Sequence, residues 1–332
     1  MKFDIVTGYT GFVGKALVLR LIKLNRSKKL ILVGRNRPDF LDENTEYHNK
    51  WQYIEFDYTK LPTAKFPVNN IDTVYHCGGI SSISARWIDL LNTNVNGTVN
   101  FLSWIIAAAK IERVIFISSA LACGYDTSSN GSLCRLNQET PSNPNTPYGR
   151  SKYETELKIK ALAIKHGFKL VIVRPSYIYG TGMRQNSGFS KFIHMVKNQS
   201  IGARMNYPGS LSFTHIDNLI TLLIHVSRDE STVDEIFFAD SKPILYTELF
   251  KILGEILGIE IKSIKLPIIL YKSISWSLIH LYKIPYVKKK VPFHLLPLIK
   301  ENIGCIDFDE INVEYKSCIN ISLEDGLKKT IH

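Results

Sequence analysis

The sequence predicts an α/β fold in which a doubly wound parallel sheet is followed by a smaller C-terminal lobe. Short runs rich in β-branched residues recur at Phe3–Val6, Leu30–Val33, Tyr53–Phe56, Thr73–His76, Val114–Ile117 and Leu170–Val173. Helical patterns lie between them, most clearly at Phe12–Leu24, Leu90–Ala109 and Tyr148–Ile164. Apolar runs of this kind are typical of strands buried on both faces, and the helical spacers indicate right-handed βαβ crossovers.

The alternation loosens after Pro175, and this change indicates where the first domain ends. Glycines and prolines interrupt residues 180–209, as expected where loops gather over a cleft. Residues 246–258 have a helical pattern, and residues 264–300 are apolar and aromatic with interspersed lysines. We therefore expect residues 1–175 to form the sheet domain, with later segments returning to the sheet, and residues 176–332 to form mainly a cap.

The chain has 332 residues, of which 45% are hydrophobic, and this is enough to bury a large core. Its net charge of +11 raises the question of a nucleic-acid or membrane partner. However, the basic residues are scattered, and the one tight run is Lys288–Lys290. We therefore favour a solvated basic surface or an anionic small-molecule ligand, and we expect no nucleic-acid partner.

The cysteines form no CxxC pair and show no metal-ligand spacing, so we expect free thiols and no bound metal. They are Cys77, Cys123, Cys134, Cys305 and Cys318. The N-terminal residues begin with a strand-like run rather than a signal sequence, and no apolar run reaches the roughly 18 residues that a bilayer-spanning helix needs. These features predict a cytoplasmic protein.

A glycine-rich turn follows the first predicted strand and reads Thr7-Gly8-Tyr9-Thr10-Gly11-Phe12-Val13-Gly14. Gly8 permits a tight turn, Gly11 lets the backbone approach a ligand, and Gly14 permits close packing of helix on sheet. The N-terminus of the next helix offers free N–H groups and a partial positive charge to phosphates. Because a strand precedes the glycines and a helix follows them, the pattern predicts a Rossmann domain that binds a dinucleotide.

The end of the second predicted strand distinguishes between the two nicotinamide dinucleotides. An acidic residue there would bind the adenosine ribose and favour NAD, but this chain has Arg35 and Arg37 instead. Two guanidinium groups suit a 2′-phosphate, so we predict NADP, with NAD as the alternative. Solvated surface arginines are the competing interpretation. Asp57, just past the third strand, is placed either to meet the adenine amino group or to cap a turn.

Tyr148 and Lys152 are four residues apart in a predicted helix, so they lie on one face of it. A phenol is a poor base at neutral pH, and an adjacent ammonium group stabilises the phenolate. The pair can then exchange a proton with a substrate oxygen while hydride moves to or from a nicotinamide. The pattern gains specificity because it follows, about thirty residues later, a strand that ends in Ser118 and Ser119.

Together these motifs resemble the extended short-chain dehydrogenase/reductase family, in the branch of epimerases and dehydratases that includes UDP-galactose 4-epimerase and the 3β-hydroxysteroid dehydrogenases. The resemblance covers nearly the whole chain. Besides the glycine turn and the tyrosine–lysine pair, the segments that match in the family's order are Asn94–Thr98, Arg174–Gly180, Phe213–Asp217 and Ser322–Leu327. It implies that Ser119 binds the substrate oxygen together with the tyrosine, and that Lys152 also bonds the nicotinamide ribose.

The resemblance also implies that the segment from Pro175 lines the nicotinamide and that His76–Gly79 passes beneath the cofactor. The family usually has His-x-Ala-Ala there, whereas this chain has Cys77, Gly78 and Gly79 after the histidine. Small residues are kept, and we interpret Cys77 as a packing residue. His215 lies in a segment that is structural in the family, so we leave it out of the catalytic set.

The predicted site has two sets of residues. The catalytic residues are Ser119, Tyr148 and Lys152. The cofactor-binding residues are Thr7, Gly8, Thr10, Gly11, Phe12, Val13, Gly14, Arg35, Arg37, Asp57, Tyr58, Cys77, Gly78, Gly79, Asn94, Ser118, Tyr148, Lys152 and Pro175.

This chain lacks motifs that two subgroups of the family use, and their absence argues against the reactions of those subgroups. The family's sugar 4,6-dehydratases carry an Asp-Glu pair just after the strand-end hydroxyl, where this chain has Ala120 and Leu121. The GDP-fucose-type epimerase-reductases carry a cysteine directly after the serines, and this chain lacks it. What remains is alcohol/ketone redox chemistry, or a 4-epimerisation through a transient ketone.

The substrate class stays open between two interpretations. Arg184, Asn186 and Arg204 lie where relatives hold a nucleotide diphosphate, so a nucleotide-linked sugar leads, although residues 295–310 lack the arginine that often grips that group. The apolar stretch Leu266–Tyr286 would instead suit a sterol-like or other lipid alcohol.

The same stretch, with Trp276 and several Ile and Leu, would also suit a membrane surface, with Lys283 and Lys288–Lys290 as a basic rim. We favour a cap helix whose apolar face is buried against the domain. A non-catalytic NADP-binding sensor is the alternative from another class, and the intact Ser119, Tyr148 and Lys152 set argues against it. The resemblance further implies a homodimer through the helix that carries the tyrosine and its neighbour.

Overall fold

The architecture is that of a computed structural model, which describes residues 2–24, 29–42, 47, 49–62, 64–124, 135–185, 187–230, 234–265, 267–281, 284, 302–303 and 305–331. Its strands are β1 (Phe3–Thr7), β2 (Lys29–Gly34), β3 (Trp51–Glu55), β4 (Asn70–His76), β5 (Lys110–Ile117), β6 (Lys169–Pro175), β7 (Tyr177–Tyr179), β8 (Ser210–Leu211), β9 (Phe213–His215), β10 (Glu235–Phe238), β11 (Ile244–Leu245) and β12 (Asn302–Ile303). The main sheet has seven strands in the order β10-β6-β5-β4-β1-β2-β3, and every neighbouring pair is parallel. The predicted doubly wound parallel sheet is therefore confirmed.

The helices of the described residues lie mostly between these strands. They are α1 (Phe12–Lys23), α2 (Trp87–Leu90), α3 (Gly97–Ile106), α4 (Pro147–His166), α5 (Gly188–Lys197), α6 (Ile201–Arg204), α7 (Ile216–Val226), α8 (Tyr246–Leu257), α9 (Ile268–Leu281), α10 (Val313–Lys316) and α11 (Leu323–Ile331). A π-helical turn, Leu91–Asn96, joins α2 to α3, and a 3-10 turn, Ala120–Cys123, follows β5.

Both faces of the main sheet are buried, which explains why its strands are continuous apolar runs. In β1, Val6 packs with α1 and α7 on one face, and Ile5 packs with α3 and α4 on the other. Successive strand residues point to opposite faces, so a strand covered on both sides needs apolar residues at every position.

The strand order reverses beside β1, because β2 and β3 lie on one side of it while β4, β5 and β6 lie on the other. At the carboxyl end of β1, Thr7 is in register with Val33 of β2 and with His76 of β4. Ligands of doubly wound sheets bind in the crevice outside the carboxyl ends of the strands at such a reversal. This edge therefore positions the site described below.

The later part of the chain forms a second core next to the sheet. Two small sheets, β11-β8-β12 and β7-β9, lie among α5, α8 and α11. Aromatic side chains fill this core in edge-to-face contacts, as between Phe189 and Phe213, whose ring centroids are 5.8 Å apart. Strand β10 returns to the main sheet and pairs with β6.

Asn218, at the start of α7, is hydrogen-bonded to a segment about a hundred residues later in the chain. Its Oδ1 accepts hydrogen bonds from the backbone N–H groups of Asn320 and Ile321, each at 3.0 Å. Its Nδ2 donates to the carbonyl of Ile321 at 2.8 Å and to the carboxyl of Asp240 at 2.9 Å. Burial raises the pKa of Asp240 to about 7. One buried amide thus connects α7, the end of β10 and the segment before α11.

Some predicted positions lie outside the described residues. These are Cys134, Asn186, Leu266, Lys283 and Lys288–Lys290. Among the helices that the structure describes, none combines the length and the apolar character that crossing a bilayer requires.

Candidate active site

The turn between β1 and α1 is built so tightly that only glycine fits at two of its positions. Gly8 has a φ of +66°, and a side chain there would come within 2.6 Å of the carbonyl carbon of Cys77. A side chain at Gly14 would come within 2.3 Å of the carbonyl oxygen of Gly8. Helix α1 can therefore start directly against the end of β1.

The N-terminus of α1 has the properties of an anion site. Gly11 precedes the helix, no side chain caps it, and its first turn contains no acidic residue. The first N–H groups of a 12-residue helix carry a partial positive charge, and here they face the turn rather than a side-chain acceptor. Thr10, Phe12 and Val13 complete the backbone that surrounds this position. The residues present fit the pyrophosphate of a dinucleotide.

A buried chain of hydrogen bonds fixes the floor of the crevice. The Thr7 hydroxyl lies 2.9 Å from Nδ1 of His76 and accepts a hydrogen bond from the N–H of Gly78 at 3.1 Å. Nε2 of His76 lies 2.8 Å from the hydroxyl of Thr98 in α3. Burial, helped by the charge of Lys152, lowers the pKa of His76 to about 3, so its ring stays neutral. The ends of β1 and β4 are therefore joined through an uncharged imidazole.

Two predicted cofactor contacts support the loop that follows β4. Asn94 accepts a hydrogen bond from the N–H of Ile80 at 2.7 Å and donates to the carbonyl of Ile80 and to the hydroxyl of Ser151. Tyr58 is buried, and its hydroxyl lies against Gly78, where a side chain would come within 2.6 Å of it. These residues hold Gly78 and Gly79 beside α4. Cys77 next to them is half-buried, and burial raises the pKa of its thiol to about 12, as expected of a packing residue.

Ser119 and Tyr148 meet where β5 and α4 converge. Ser119 follows β5 in an extended conformation, and its hydroxyl accepts a hydrogen bond from the N–H of Leu121. Tyr148 lies in the first turn of α4, after the capping residue Thr146, whose hydroxyl accepts from the N–H of Gly149 at 3.0 Å. A side chain at Gly149 would come within 2.1 Å of the carbonyl oxygen of Leu121, so this glycine lets α4 approach the serine loop. Sequence reasoning did not single it out.

The spacing of Tyr148 and Lys152 suggests a phenol with a lowered pKa, but the pKa of Tyr148 is raised. Burial raises the pKa of the phenol to about 12, and a hydrogen bond with Ser119 opposes this shift. Lys152 is buried, and its Nζ donates to the carbonyl of Ile117 at 2.7 Å. Burial lowers the pKa of this amine to about 8, while Cys77 and Glu156 oppose the shift. The phenol therefore holds its proton at neutral pH, and the lysine remains a cation one helical turn away.

We predict that Lys152→Met stabilises the protein at pH 7. Burial lowers the pKa of Lys152 from 10.5 to about 8, so burying its ammonium group costs the wild type about 3 kcal/mol of stability. The variant avoids this cost but also loses the hydrogen bond to Ile117, which contributes about 1 kcal/mol. Because the folded-state pKa is lowered, the cost is present below pH 8 and disappears as the pH rises toward 10.5. Thermal unfolding between pH 7 and 10.5 should show that the extra stability of the variant over the wild type shrinks and then changes sign. A stability difference that does not depend on pH would contradict the prediction.

A buried ion pair lies directly behind the predicted catalytic residues. Glu156, one turn after Lys152, accepts two hydrogen bonds from Arg174, at 3.1 and 2.6 Å, and another from the hydroxyl of Ser118. The side chains of Glu156 and Arg174 are 1% and 3% exposed. Arg174 also contacts Glu235 of β10 at 2.6 Å, and these charges raise its pKa.

Neither Glu156 nor Arg174 is among the functional residues predicted from the sequence. Two signals could have revealed it. Glu156 lies four residues after Lys152 on the same helix, and Arg174 interrupts the apolar strand β6 immediately before Pro175. A charge in a buried strand requires a partner, and a carboxylate on the helix that covers the strand is the natural candidate.

On the adenosine side of the crevice, the structure separates the predicted residues. Arg37 is exposed, forms a bidentate pair with Asp42 at 3.1 and 3.2 Å, and lies over the ring of Trp51. Asp57 accepts hydrogen bonds from the N–H and hydroxyl of Thr59, which hold its pKa below the ordinary value. Asp57 therefore caps a turn, and Arg35 is exposed at the end of β2 near it.

We predict that Arg35→Asp weakens NADP binding much more than NAD binding, because only NADP carries a 2′-phosphate. A carboxylate in place of a guanidinium turns attraction into repulsion, and we expect a loss of roughly tenfold to a hundredfold for NADP. Isothermal titration of both cofactors measures the effect. Arg20→Asp, on the exposed side of α1, makes the same change in net charge away from the site and serves as the control. Equal losses for the two cofactors would show that Arg35 does not bind the phosphate.

The predicted substrate-side arginines are less clearly directed at a ligand. Arg184 is exposed before α5, and its carbonyl accepts hydrogen bonds from Ser187 and Ser190. Nε of Arg204 donates to the carbonyl of Lys262 at 3.2 Å and so holds the segment before α9. Pro175 ends β6 in register with Phe238 of β10.

A family model described as the NAD dependent epimerase/dehydratase family matches residues 5–237. The chain belongs to the NAD dependent epimerase/dehydratase family. The predicted resemblance and the predicted nicotinamide-dependent enzyme class are thereby confirmed.

Relatives in this family align over most of the chain. A UDP-glucose 4-epimerase of Vibrio cholerae is 28% identical over 82% of this chain and 80% of its own length. A 3β-hydroxysteroid-dehydrogenase/decarboxylase of Arabidopsis thaliana is 26% identical over 99% of this chain and 79% of its own length.

Solved structures of the epimerase/dehydratase family share the fold of this chain. A UDP-glucuronic acid 4-epimerase from Bacillus cereus, in complex with UDP-glucuronic acid and NAD, superposes with a TM-score of 0.70 at 18% identity. The match covers 99% of this chain and 98% of that one. A dTDP-glucose 4,6-dehydratase from Streptomyces venezuelae superposes with a TM-score of 0.74 at 17% identity over 99% of this chain and 95% of that one.

Proposed function

We propose that this chain transfers hydride between NADP and a carbinol or ketone carbon of a nucleotide-linked sugar. Ser119, Tyr148 and Lys152 are the proposed catalytic residues. The observation that carries the proposal is the placement of Ser119 beside Tyr148, with the buried cation Lys152 one helical turn along α4, at the strand edge that also holds the glycine turn. NAD is the alternative cofactor, and Arg35 is the residue that favours NADP.

The chemistry follows from the protonation states of these side chains. A nicotinamide, when bound, supplies or accepts the hydride. In the reducing direction, Tyr148 gives its proton to the substrate oxygen, and the raised pKa of about 12 keeps that proton available at neutral pH. Ser119 donates a hydrogen bond to the same oxygen. In the oxidising direction, Tyr148 must first release its own proton to solvent, because only the phenolate can take the carbinol proton, and a cation such as Lys152 one turn away lowers the cost of that phenolate.

The sugar-nucleotide assignment rests on the relatives. The V. cholerae relative is a UDP-glucose 4-epimerase, and the B. cereus structure is a complex with UDP-glucuronic acid and NAD. Ala120 and Leu121, which follow Ser119, supply no carboxylate for eliminating water. We therefore favour reduction, oxidation or 4-epimerisation over dehydration.

A lipid-like alcohol is the second candidate substrate, and one comparison favours it. The relative that aligns with 99% of this chain is named as a steroid dehydrogenase/decarboxylase. Arg204, one of the arginines proposed to hold a diphosphate, already donates its Nε to a backbone carbonyl. A hydrophobic substrate requires no diphosphate site.

Isothermal titration distinguishes these candidates. NADP(H), NAD(H), UDP and GDP are added separately, and each nucleotide is then added to the cofactor-loaded protein. Micromolar binding of UDP or GDP to the loaded protein supports a nucleotide-linked sugar. Cofactor binding without any nucleotide response contradicts that substrate class and favours the lipid alcohol. A protein that binds neither cofactor contradicts the proposed reaction itself.

A further inference from the structure

The segment Ile261–Lys300 has a charge composition unlike that of the rest of the chain. Its basic residues are Lys262, Lys265, Lys272, Lys283, Lys288, Lys289, Lys290 and Lys300, and it contains no aspartate or glutamate. These eight lysines contribute +8 to a net charge of +11, although the segment makes up only 40 of the 332 residues. A stretch without carboxylates cannot neutralise its own charge through internal ion pairs, so the segment as a whole is strongly cationic.

Helix α9, within this segment, is apolar on two opposite faces. Its inner face packs into the second core through Tyr271, which is 3% exposed, and through the half-buried Ile274 and Leu278. This inner face packs as expected of a cap helix whose apolar side is buried against the domain. On the outer face, Ile269 is 77% exposed and Trp276 is 65% exposed, and their separation of seven positions, about two helical turns, places both on one side.

Other side chains extend this outer surface. Leu270 on the flank of α9, Leu281 at its end and Ile284 just after it are 47%, 49% and 48% exposed. Lys272 lies between Ile269 and Trp276 in the helix and is exposed, as are Lys262 and Lys265 just before it. The ring of His280 lies 4.2 Å from that of Trp276 and supports the indole in its exposed position. The surface therefore combines an exposed indole, aliphatic side chains and cations.

We propose that this outer surface of α9, with Lys262, Lys265 and Lys272, docks on a bilayer that carries anionic lipids. Tryptophan prefers the interface between headgroups and acyl chains, and each lysine near an anionic surface adds to the attraction. The 14 residues of α9 are fewer than the roughly 20 that span a bilayer, so the helix lies along the surface. A nucleic acid would pair with the lysines but would leave Ile269 and Leu270 exposed to water.

The test is co-sedimentation of the full chain with phosphatidylcholine vesicles, with and without phosphatidylglycerol. We expect clear binding to the anionic vesicles, weak binding to the neutral ones, and a loss of binding as salt is raised. The double variant Ile269→Ser, Trp276→Ser should lower partitioning about tenfold or more. Both side chains are mostly exposed, so the variant should melt at the wild-type temperature.

The matched control is Leu61→Ser, Ile164→Ser, which removes two equally exposed apolar side chains elsewhere on the surface. This control should bind anionic vesicles as the wild type does. Wild-type protein that binds no vesicles, or that binds neutral and anionic vesicles equally, overturns the proposal. So does a control variant that loses as much binding as the α9 variant. Binding to single-stranded RNA without vesicle binding would instead identify a nucleic-acid surface. None of these readouts depends on the proposed reaction.

Discussion

Replacing Tyr148 with phenylalanine should lower turnover by roughly 10²–10⁴-fold, the usual contribution of a positioned acid or base. The substitution removes one oxygen and leaves the ring that packs in the first turn of α4. The dinucleotide turn and the floor around His76 involve no contact with that hydroxyl, so cofactor affinity should stay close to that of the wild type. Turnover is measured with the substrate class that the titrations identify, and affinity by titration of NADP.

Tyr153→Phe is the matched control for this prediction. It makes the same chemical change five residues later on the same helix, where the side chain is half-buried. We expect it to leave turnover unchanged. A Tyr148→Phe variant that keeps wild-type turnover would remove the proposed acid and base. Loss of cofactor binding in that variant would show that its effect is not confined to proton transfer.

Glu156→Ala should destabilise the protein by about 3–5 kcal/mol, because it leaves the buried guanidinium of Arg174 without its bidentate partner. Glu235 still contacts Arg174, but through one nitrogen only. Ser118 loses its acceptor at the same time, directly beside Ser119. Denaturant unfolding measures the free energy, and we expect the midpoint to fall with little change in slope.

Glu154→Ala tests whether the loss comes from the buried pair or from helix α4 in general. Glu154 pairs with Arg150 on the outside of α4, and such pairs contribute about 0–1 kcal/mol. The double variant Glu156→Leu, Arg174→Met removes both charges and should recover much of the lost stability. Equal effects of Glu154→Ala and Glu156→Ala would contradict a special role for the buried pair.

The sheet could be predicted from sequence because its strands are buried on both sides. A strand such as β6, with Leu170 to Val173 all buried, has a continuous apolar run, and turns or helices mark both ends. The glycine turn was equally predictable, since Gly8 and Gly14 occupy positions where backbone atoms exclude any side chain. Constraints of this kind act on neighbouring residues, so they can be recognised in a short stretch of sequence.

The electrostatics of the site could not be predicted in the same way. The spacing of Tyr148 and Lys152 places both on one face of α4, but it does not reveal that Lys152 donates to the carbonyl of Ile117. Arg35 and Arg37 look equivalent in the sequence, yet Arg37 pairs with Asp42 while Arg35 lies near Asp57. The Glu156–Arg174 pair depends on how α4 packs over β6. The contacts of Lys152 with Ile117 and of Glu156 with Arg174 join different elements of the fold, and residue types alone do not specify them.

The hydrogen bonds of Asn218 impose an order on folding during synthesis. The two N–H groups that donate to its side-chain Oδ1 lie 102 and 103 residues further along the chain. At about 5–20 residues per second, a ribosome needs roughly 5–20 s to make them after α7 has emerged. During that interval water must satisfy the amide, and the junction between the sheet and the second core stays open. The main sheet can thus fold early, while the region over the crevice closes only when the segment around Asn320 arrives.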